Sequence, residues 1–488
     1  MLRLTFRGGE WCKKLIKLEK IAPNNDDTKE KMTLLQLSKT ATATLLVVSC
    51  YCAHATDVFR LEGYGPISRA MGGAATAFDV GPAGMMTNPA TLSLMAKGNE
   101  IQLGLDGIFA DINTRNQASQ ENASSDSHSK NRGPYFAPEA AYTHREGAFT
   151  FGIGAFAQGG LGTEYGKDSF LSKTTSGANS GLDNSSRLLV LNIPIAVSYD
   201  VTEKLSIGGS LDAMWTGLNL DLLLGANQVG SLIGAGRASG SLVPVLGGLP
   251  AFDGAHISFS KNRPLASGAD AWGIGGKFGL IYKATKATTL GAAYSFESRM
   301  SDLKGDATLT ALDAVVGQVP LQGQIAIRNF QMPAVLNLGM SHQFNDQWLV
   351  TADVSRVFWE HAMKNINVGF MANGGGNLDI QLPQNYRDQT ILALGAAYRT
   401  GNWTLRGGAR IASQALRSEL LFAVIPAVPR KHISAGLSYD FSKDNTVHFS
   451  YSHAFKETLD NSNLPNTSAP IQTSNSQNNF VIAYTHRF

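Results

Sequence analysis

Residues that could carry catalysis are scattered through this chain of 488 residues. The sequence contains no Gly-x-Ser-x-Gly and no His-Glu-x-x-His arrangement, and its ten histidines stand singly. A hydrolase needs a nucleophile beside a base, and a catalytic zinc needs clustered ligands. A lipase built on strands would need a Ser–His pair on neighbouring strands, and no segment favours one. We therefore expect a protein that is not an enzyme and uses no cofactor.

Residues 32–55 have the pattern of a secretory signal peptide. A short apolar core, Leu45-Leu46-Val47-Val48, precedes the small-x-small motif Ala53-His54-Ala55. We expect cleavage after Ala55. A buried helix, or a lipoprotein box that leaves a lipidated Cys50, is the alternative. Residues 1–31 contain acidic residues that a signal leader should lack, so we expect Met32 to be the start and 1–31 to be an upstream extension or a misplaced start.

The mature chain would contain no cysteine, because Cys12, Cys50 and Cys52 all precede the expected cut. Disulfides, zinc thiolates and cysteine nucleophiles are thereby excluded. Residues 1–55 hold nine Lys/Arg and five Asp/Glu, so 32 basic and 33 acidic residues would remain, and nothing points to nucleic acid as a partner. No apolar stretch long enough for a spanning helix follows residue 55.

Apolar residues alternate with small or polar ones after residue 98. The last segment shows it: Phe480, Ile482, Tyr484 and Phe488 share one face of a strand. A period of two predicts strands with one apolar face. We predict fourteen strands, at 98–112, 135–145, 148–160, 187–200, 203–217, 271–284, 287–300, 322–345, 346–360, 387–400, 402–413, 430–442, 445–456 and 477–488, with a bulge or kink in the eighth at Pro333.

The predicted connections alternate between short and long. Short ones occur at 146–147, 201–202, 285–286, 345–346, 400–401 and 442–445, and long ones at 113–134, 161–186, 218–270, 301–321, 361–386, 414–429 and 457–476. An up-and-down transmembrane β-barrel has this parity, with tight periplasmic turns and long outer loops. A soluble β-sandwich has no reason to sort its loops in this way. The fold class is therefore an all-β, 14-stranded antiparallel transmembrane barrel in the outer membrane of a Gram-negative bacterium.

Charged residues on the strands identify the inner face. They are Asp212, Lys277, Asp353, Arg406, Arg410 and Asp440, and each lies opposite an apolar face. A basic residue that faces lipid at mid-depth costs roughly 2–4 kcal/mol, so these side chains are expected to point into the lumen. Mutual pairing and solvation explain them, and a role in translocation is the alternative.

Residues 56–97 do not alternate and are rich in Gly and Ala. A barrel of fourteen strands encloses a lumen too wide for its own side chains to fill. We expect this segment to form a plug that precedes the barrel of residues 98–488.

The plug motifs resemble those of the FadL family of outer-membrane transporters, which includes the TodX-type hydrocarbon channels. The matching residues are Arg69-Ala70, Gly73, Ala75, Ala77 and Asp79, followed by Asn88-Pro89-Ala90. Further landmarks are Gly162–Tyr165, Pro333–Gly339, Asp346–Trp348, Tyr386–Gly395, Gly401–Gly408 and the Phe488 end. The resemblance covers essentially all of 56–488.

The resemblance implies a mechanism. The N-terminal segment would be a hatch, with Arg69, Asp79, Asn88, Pro89 and Ala90 as gate residues and Asn88–Ala90 near an inward kink of the third strand. That kink would open the wall, so that a fatty acid or hydrocarbon leaves sideways into the membrane. Gly159 and Gly160 are candidates for the kink, and a plain turn into the next loop is the alternative.

The long connection 218–270 is unusually apolar for a loop in water. We expect Leu220, Leu222, Leu223, Leu224, Leu232, Ile233 and Phe252 to form an outer groove for apolar ligands, together with 311–319. Packing of the loops on one another is the alternative. The family's fatty-acid member carries a basic residue at the position that Leu222 occupies here. A carboxylate headgroup would then need another cation, for which Lys277 and Arg187 are candidates, unless the substrate is a neutral hydrocarbon.

The expected partners are hydrophobic small molecules, outer-membrane lipids and lipopolysaccharide, and the barrel-assembly machinery, and the expected state is a monomer. The alternative function is a general diffusion porin for small polar solutes, which would lack a plug. An adhesin or structural barrel is a third possibility.

Overall fold

The structure is a computed structural model that describes residues 58–126, 134–261 and 267–488. The expected extension 1–31 and the signal peptide 32–55, with Cys50 and its alternative processing, lie outside these ranges. Within them, no helix is long and apolar enough to cross a membrane.

Antiparallel strands make up most of the described chain. They are β1 (Gly98–Asn116), β2 (Asn122–Ser125), β3 (Tyr135–Glu146), β4 (Phe149–Glu164), β5 (Ser185–Asp200), β6 (Leu205–Gly225), β7 (Ala238–Ser239), β8 (Phe252–Ser258), β9 (Ala269–Lys283), β10 (Thr288–Ser295), β11 (Arg299–Met300), β12 (Leu303–Asp313), β13 (Gly317–Arg328), β14 (Val335–Gln343), β15 (Trp348–Val357), β16 (Asn365–Ala372), β17 (Asn377–Pro383), β18 (Gln389–Thr400), β19 (Trp403–Ala412), β20 (Lys431–Asp440), β21 (Asn445–Asn461) and β22 (Ile471–Arg487). The α-helices are α1 (Gly65–Ala70), α2 (Ala226–Gly234), α3 (Leu242–Gly247) and α4 (Trp359–Ala362), and short 3₁₀ segments lie at Gly81–Met86, Pro89–Leu94, Phe170–Ser172 and Ser418–Leu420.

Pairing closes a subset of the strands into a ring. The order is β1, β3, β4, β5, β6, β9, β10, β14, β15, β18, β19, β20, β21 and β22. β22 then pairs back with β1, from Glu100 opposite Arg487 to Asn116 opposite Ile471. The protein is therefore an all-β, closed antiparallel barrel, in which closure removes the free sheet edges.

Apart from the eighth, every predicted strand overlaps one strand of this ring. The prediction of a single strand at 322–345 with a bulge at Pro333 is wrong. That stretch contains β13 and β14, which pair with different neighbours: β13 joins β12 and β16, whereas β14 joins β10 and β15. Apolar and polar residues alternate in both β13 and β14, so the periodicity of the sequence could not show that the two strands pair with different neighbours.

The predicted parity of the connections is confirmed, but three long connections are not the loops we expected. Residues 218–270, 301–321 and 361–386 contain further strands and helices. β6 continues beyond the ring and pairs with β8, and the pairing proceeds through β12, β13, β16 and β17 to β7. We call this ribbon, with α2 and α3, the outer cap.

Burial separates the two faces of the ring as predicted. Leu211 and Ile274 expose 77% and 64% of their surface on the outer face. Asp212, Lys277 and Asp353 are buried on the inner face. Asp212 and Lys277 form an ion pair, so the pairing expected for the inward charges is found there.

The N-terminal segment, residues 58–97, packs against glycines on the inner faces of many ring strands. A Cβ added at Gly208 of β6 would meet the backbone of Pro89 and Ala90. Comparable backbone or Asn88 contacts occur at Gly279, Gly291, Gly395 and Gly408, on β9, β10, β18 and β19. The missing side chains let this segment approach the wall closely from several sides.

Candidate functional site

The wall of the ring has a gap between β3 and β4. These strands pair from Glu146 opposite Phe149 up to Ala140 opposite Ala155, and no pair between them is formed above that point in the described chain. β3 nevertheless continues to Tyr135 against β1, and β4 continues to Glu164 against β5. We call this unpaired stretch the wall opening.

A bulge in β4 sets the course of the opening. The register with β5 shifts between Ala157 and Gly159, so that Gln158 is the extra residue. The strand continues to Glu164, so Gly159 and Gly160 lie within the strand beside the bulge and not in a plain turn. A bulge bends its strand and interrupts pairing, so it accounts for the separation of β4 from β3.

The N-terminal segment bonds directly to this bulge. Arg60 forms a β-bridge with Gly159, and the Gly160 amide donates to the Phe59 carbonyl at 2.7 Å. The Leu61 amide donates to the Gln158 carbonyl at 3.2 Å. A Cβ at Gly159 would run into the Phe59 carbonyl, so only glycine permits this approach.

An apolar cluster lies behind the wall opening. Its buried members come from the N-terminal segment and from β3, β4 and β5: Leu61, Tyr64, Ala83, Met85, Met86, Leu92, Met95, Ala137, Ala141, Phe156, Ala157 and Ala196. Methionine fills irregular space and adapts to different partners. This sector of the interior is therefore mostly apolar, although the buried Glu139 of β3 lies on the same face, between Ala137 and Ala141.

Arg69 anchors the N-terminal segment through buried ion pairs. Its guanidinium pairs with Glu62 at 3.0 Å and with Asp106 of β1, and its Nε donates to the Gly63 carbonyl at 3.1 Å. Burial raises the pKa of Glu62, but Arg69, His432 and the Ser452 hydroxyl outweigh burial and lower it to about 2. Both partners are therefore charged at neutral pH and hold each other inside the ring.

The Asn88-Pro89-Ala90 motif contacts β5, β6 and β9. Asn88 Nδ2 donates to the Leu280 carbonyl of β9 at 3.2 Å, Ser198 Oγ of β5 donates to the Ala90 carbonyl at 3.4 Å, and Pro89 and Ala90 lie against Gly208 of β6. Residues 59–61 form the bonds to the bulge itself, and a role of the motif near the kink stays a prediction. Asn88 also caps the 3₁₀ segment Pro89–Leu94, because its side-chain oxygen accepts from the Ala90 amide at 3.1 Å. This explains why an asparagine precedes the proline, since asparagine is a favoured N-cap residue.

Asp79 lies at the other end of the lumen from the outer cap. It lines a cavity of about 430 Å³ beside the short connection 343–348, together with Arg399 and Arg406. Asp79 accepts from the Gly81 amide at 2.8 Å and so begins the following 3₁₀ turn. The structure thus separates Asp79 from Arg69 and from the wall opening.

The outer cap contains a small apolar pocket with a cavity volume of about 30 Å³. It is lined by Leu222, Leu224, Val229, Leu232, Ile233, Ala238, Val243, Leu246, Ala255, Ile257, Leu309, Leu378 and Ile380. Four predicted groove residues, Leu222, Leu224, Leu232 and Ile233, meet here. Leu220, Leu223 and Phe252 do not line it. Ligand pockets are mostly apolar, and none of the described residues that line this one is charged.

Sequence reasoning missed the segment 420–428, which we had assigned to an outer loop. Leu421, Phe422, Val424 and Val428 are almost completely buried. Their backbone is held from within the ring: Ser186 Oγ donates to the Val424 carbonyl at 2.5 Å, and Tyr165 Oη donates to the Ala423 carbonyl at 2.8 Å. The apolar run Leu420–Val428 could have indicated this burial, because a loop exposed to water rarely contains so many apolar residues in succession.

Comparison with known proteins identifies the family. The family described as "Outer membrane protein transport protein (OMPP1/FadL/TodX)" matches residues 45–488. The chain belongs to this family. The resemblance noted from the hatch motifs is confirmed. A FadL/TodX barrel is an outer-membrane protein, and the characterised members are transport channels rather than enzymes.

Solved members of the FadL/TodX family share the fold along nearly their full length. The Ralstonia pickettii toluene transporter TbuX is 47% identical, with a TM-score of 0.75 over 88% of this chain and 99% of that one. The Pseudomonas putida toluene transporter TodX is 41% identical, with a TM-score of 0.78 over the same shares. Haemophilus influenzae outer membrane protein P1 is 27% identical over 315 residues, and the chain spans 62% of that relative's length.

The two candidate headgroup cations of this FadL/TodX protein are not brought together. Lys277 is buried against Asp212, so its charge is already compensated. Arg187 lies on the outward face of β5, as the alternation of burial along that strand shows, and donates to the Lys261 carbonyl at 3.2 Å. Neither side chain lines the apolar pocket of the outer cap.

Proposed function

We propose that this protein takes up small hydrophobic compounds, chiefly neutral hydrocarbons, across the outer membrane and releases them sideways through the wall opening. The wall would be a barrel of fourteen strands, the fourteen members of the ring described above, and residues 58–97 would be its hatch. The observation that carries the proposal is the unpaired stretch between β3 and β4, backed by the apolar cluster around Met85 and Phe156.

The chemistry of the outer cap supports a neutral substrate. A carboxylate that leaves water without a cation or donors loses several kcal/mol. None of the described residues that line the apolar pocket is basic, and the resemblance to the family places Leu222 at the position of the fatty-acid member's cation. TodX and TbuX, at 41% and 47% identity, are toluene transporters. Toluene and similar hydrocarbons fit these features better than long-chain fatty acids do.

The hatch contacts support lateral release over passage straight through the lumen. The polar lumen is crossed by the N-terminal segment, whose buried groups bond to strands on several sides of the ring. A hydrocarbon that passes through water loses the favourable free energy of apolar burial. That free energy is about 25 cal/mol per Å² of apolar surface kept out of water. The wall opening connects the apolar cluster with the lipid without exposing the solute to water.

The experiment compares two tryptophan substitutions on β4. Ala157 lies in the unpaired stretch and faces the apolar cluster, and Ala155 is the last residue paired with β3 and faces outward. Each variant is expressed in cells from which the gene for the wild-type protein has been deleted. A157W should lower uptake of labelled toluene several-fold, and A155W should leave uptake near the wild-type rate. Both should keep the heat-dependent gel shift of a folded barrel. Unchanged uptake by folded A157W would contradict lateral release.

Two further measurements test the substrate and the capture site. Wild-type cells should accumulate labelled toluene faster than labelled oleate, and liposomes that contain the protein should not swell in small sugars, as a general porin would require. Val243 and Val245 lie on the same helix, α3, but only Val243 lines the apolar pocket. V243W should weaken toluene binding, and V245W should not. Rapid sugar entry would favour the porin.

A further inference from the structure

The wall opening begins, at its inner end, just above the pair formed by Ala140 and Ala155. Pro138 follows on β3, two residues nearer the outside. Proline has no amide hydrogen to donate to a neighbouring strand, so within sheets it is found at free edges and at bulges. The proline of β3 and the bulge of β4 therefore both favour the loss of pairing above this point.

The outer end of the wall opening is covered by a tyrosine. A Cβ added at Gly162 of β4 would meet the phenol ring of Tyr135, the first residue of β3, so the ring lies directly on this glycine. Gly162 is buried, although no residue of β3 pairs with it in the described chain. The Tyr135 ring therefore bridges the two strands where no backbone hydrogen bond joins them.

At this contact β4 passes on the lumen side of β3. Tyr135 belongs to the inner face of β3, which it shares with the buried Ala137 and Glu139. Gly162 belongs to the outer face of β4, because it pairs with Arg187 on the outward face of β5. The inner face of one strand thus lies on the outer face of the next, and the opening runs obliquely between them.

Beyond Gly162, the end of β4 is bonded to β1 and β2. The Glu164 amide donates to Ser125 Oγ of β2 at 2.7 Å. The Tyr165 hydroxyl lies 3.0 Å from the Thr114 hydroxyl of β1. These bonds anchor the outer end of β4, so the opening is bounded at both ends and lengthens only if they break.

The two sides of the opening differ in length. Between its ends, β3 contributes residues 136–139 and β4 contributes residues 156–161. At about 3.3 Å per residue, these are roughly 13 Å and 20 Å of strand. β4 must therefore bow away from β3 and return to it at Gly162, where the Tyr135 ring forms the outer edge of the gap.

We propose that Tyr135 is the specificity-determining residue for lateral release, because its ring on Gly162 limits the wall opening to compact solutes with a single aromatic ring. A rigid solute with two fused rings, such as naphthalene, would have to displace the Tyr135 ring, and the packing contacts of that ring with β4 would be lost. Toluene passes without displacing it. The inference rests on the proposed release route and adds the residue that sets the size of the solute.

The test measures uptake of labelled naphthalene and labelled toluene by cells that express each variant in place of the wild-type protein. Y135A should raise the naphthalene-to-toluene uptake ratio several-fold and leave toluene uptake near wild type. Y135F keeps the ring, so it should keep the wild-type ratio. Y142A is the matched control, since Tyr142 lies on the same strand where β3 is paired with β4, opposite Ile153. Its ratio should not change.

A disulfide tests whether the outer end stays closed during release. The bond between Ser125 Oγ and the Glu164 amide brings these residues close enough for the double variant S125C/E164C to form one. The chain expected after cleavage contains no other cysteine. The oxidised variant should take up toluene at the wild-type rate, with and without a reductant.

Two results would overturn the inference: a folded Y135A with an unchanged uptake ratio, or toluene uptake that the disulfide abolishes and a reductant restores. The heat-dependent gel shift shows whether Y135A is folded, and Y135L, which also removes the ring, serves if it is not. A157W separates this inference from the proposed function. If A157W blocks toluene uptake while loss of the Tyr135 ring leaves the ratio unchanged, only the role of Tyr135 fails; if A157W has no effect, lateral release itself fails.

Discussion

Replacing Arg69 with Met should release the N-terminal segment without unfolding the barrel. Arg69 is 1% exposed and pairs with Glu62 and Asp106, which are both buried. Methionine keeps most of the side-chain volume but leaves two carboxylates without their cation. Breaking a buried ion pair by removing one partner costs about 3–5 kcal/mol.

The pKa of Glu62 points in the same direction. It is lowered from 4.5 to about 2 although burial raises it, and Arg69 is the largest of the causes that lower it, ahead of His432 and the Ser452 hydroxyl. Because each 1.4 kcal/mol is about tenfold in an equilibrium constant, R69M should raise the population of the displaced segment by roughly two to three orders of magnitude. The ring itself keeps its strand pairs.

The assay is swelling of liposomes that contain the purified protein in a small sugar, with limited proteolysis of residues 58–97 as a second readout. R69M should admit the sugar and expose the segment. R328M is the matched control, since Arg328 pairs with Asp379 at 2.7 Å but both side chains are more than a third exposed, and such pairs contribute at most about 1 kcal/mol. Folded R69M that is as impermeable as R328M would refute the reasoning.

Three further predictions concern the same contacts. G208A should admit small sugars because its Cβ would meet the hatch backbone, whereas the adjacent G209A, whose Cβ finds only ordinary contact at 3.6 Å, should stay closed in the swelling assay. Deleting Gln158 should remove the bulge and lower toluene uptake while toluene binding in the outer cap persists; full uptake would contradict the role of the bulge. Because the pKa of Glu62 is lowered in the packed state, its stabilising contribution is complete above about pH 4.5 and is lost as the pH falls toward 2, so leakage measured against pH should rise only in that acid range.

Alternation predicted the ring because lipid outside and polar lumen inside impose a period of two on every spanning strand. It failed at 322–345, where β13 belongs to the outer cap and β14 to the ring. Asn329, with a positive φ of 59°, and Pro333 lie between the two strands. These residues indicate that the strand is interrupted, but they do not indicate which strands pair with the segments before and after the interruption.

The sequence was sufficient to predict local features of the site, but not which of them come into contact in the folded protein. The glycines at 159–160 indicated a bulge, and the leucines after residue 219 indicated an apolar pocket, because both effects are local. Asn88-Pro89-Ala90 was located as a motif, but its contacts with β5, β6 and β9 were not predictable, since they depend on how the whole N-terminal segment turns inside the ring. Phe422 and Val424 were missed because their burial arises only when two distant connections meet.

The interior of the ring is divided into sectors of different polarity, and this division decides where a hydrocarbon can go. The sectors around Arg69, Asp212 and Asp353 hold charges that bond to the N-terminal segment or to each other, so opening a path there would strip them of partners. Behind β3 and β4 most of the lining is methionine, leucine, alanine and phenylalanine, with Tyr64 and Glu139 beside them, and the apolar side chains lose no hydrogen bond when they move aside. That sector is also the one where the wall loses its strand pairing. A hydrophobic solute therefore crosses the interior at the lowest free-energy cost in the same sector where β3 and β4 are no longer hydrogen-bonded to each other. The bulge at Gln158 lies in that sector.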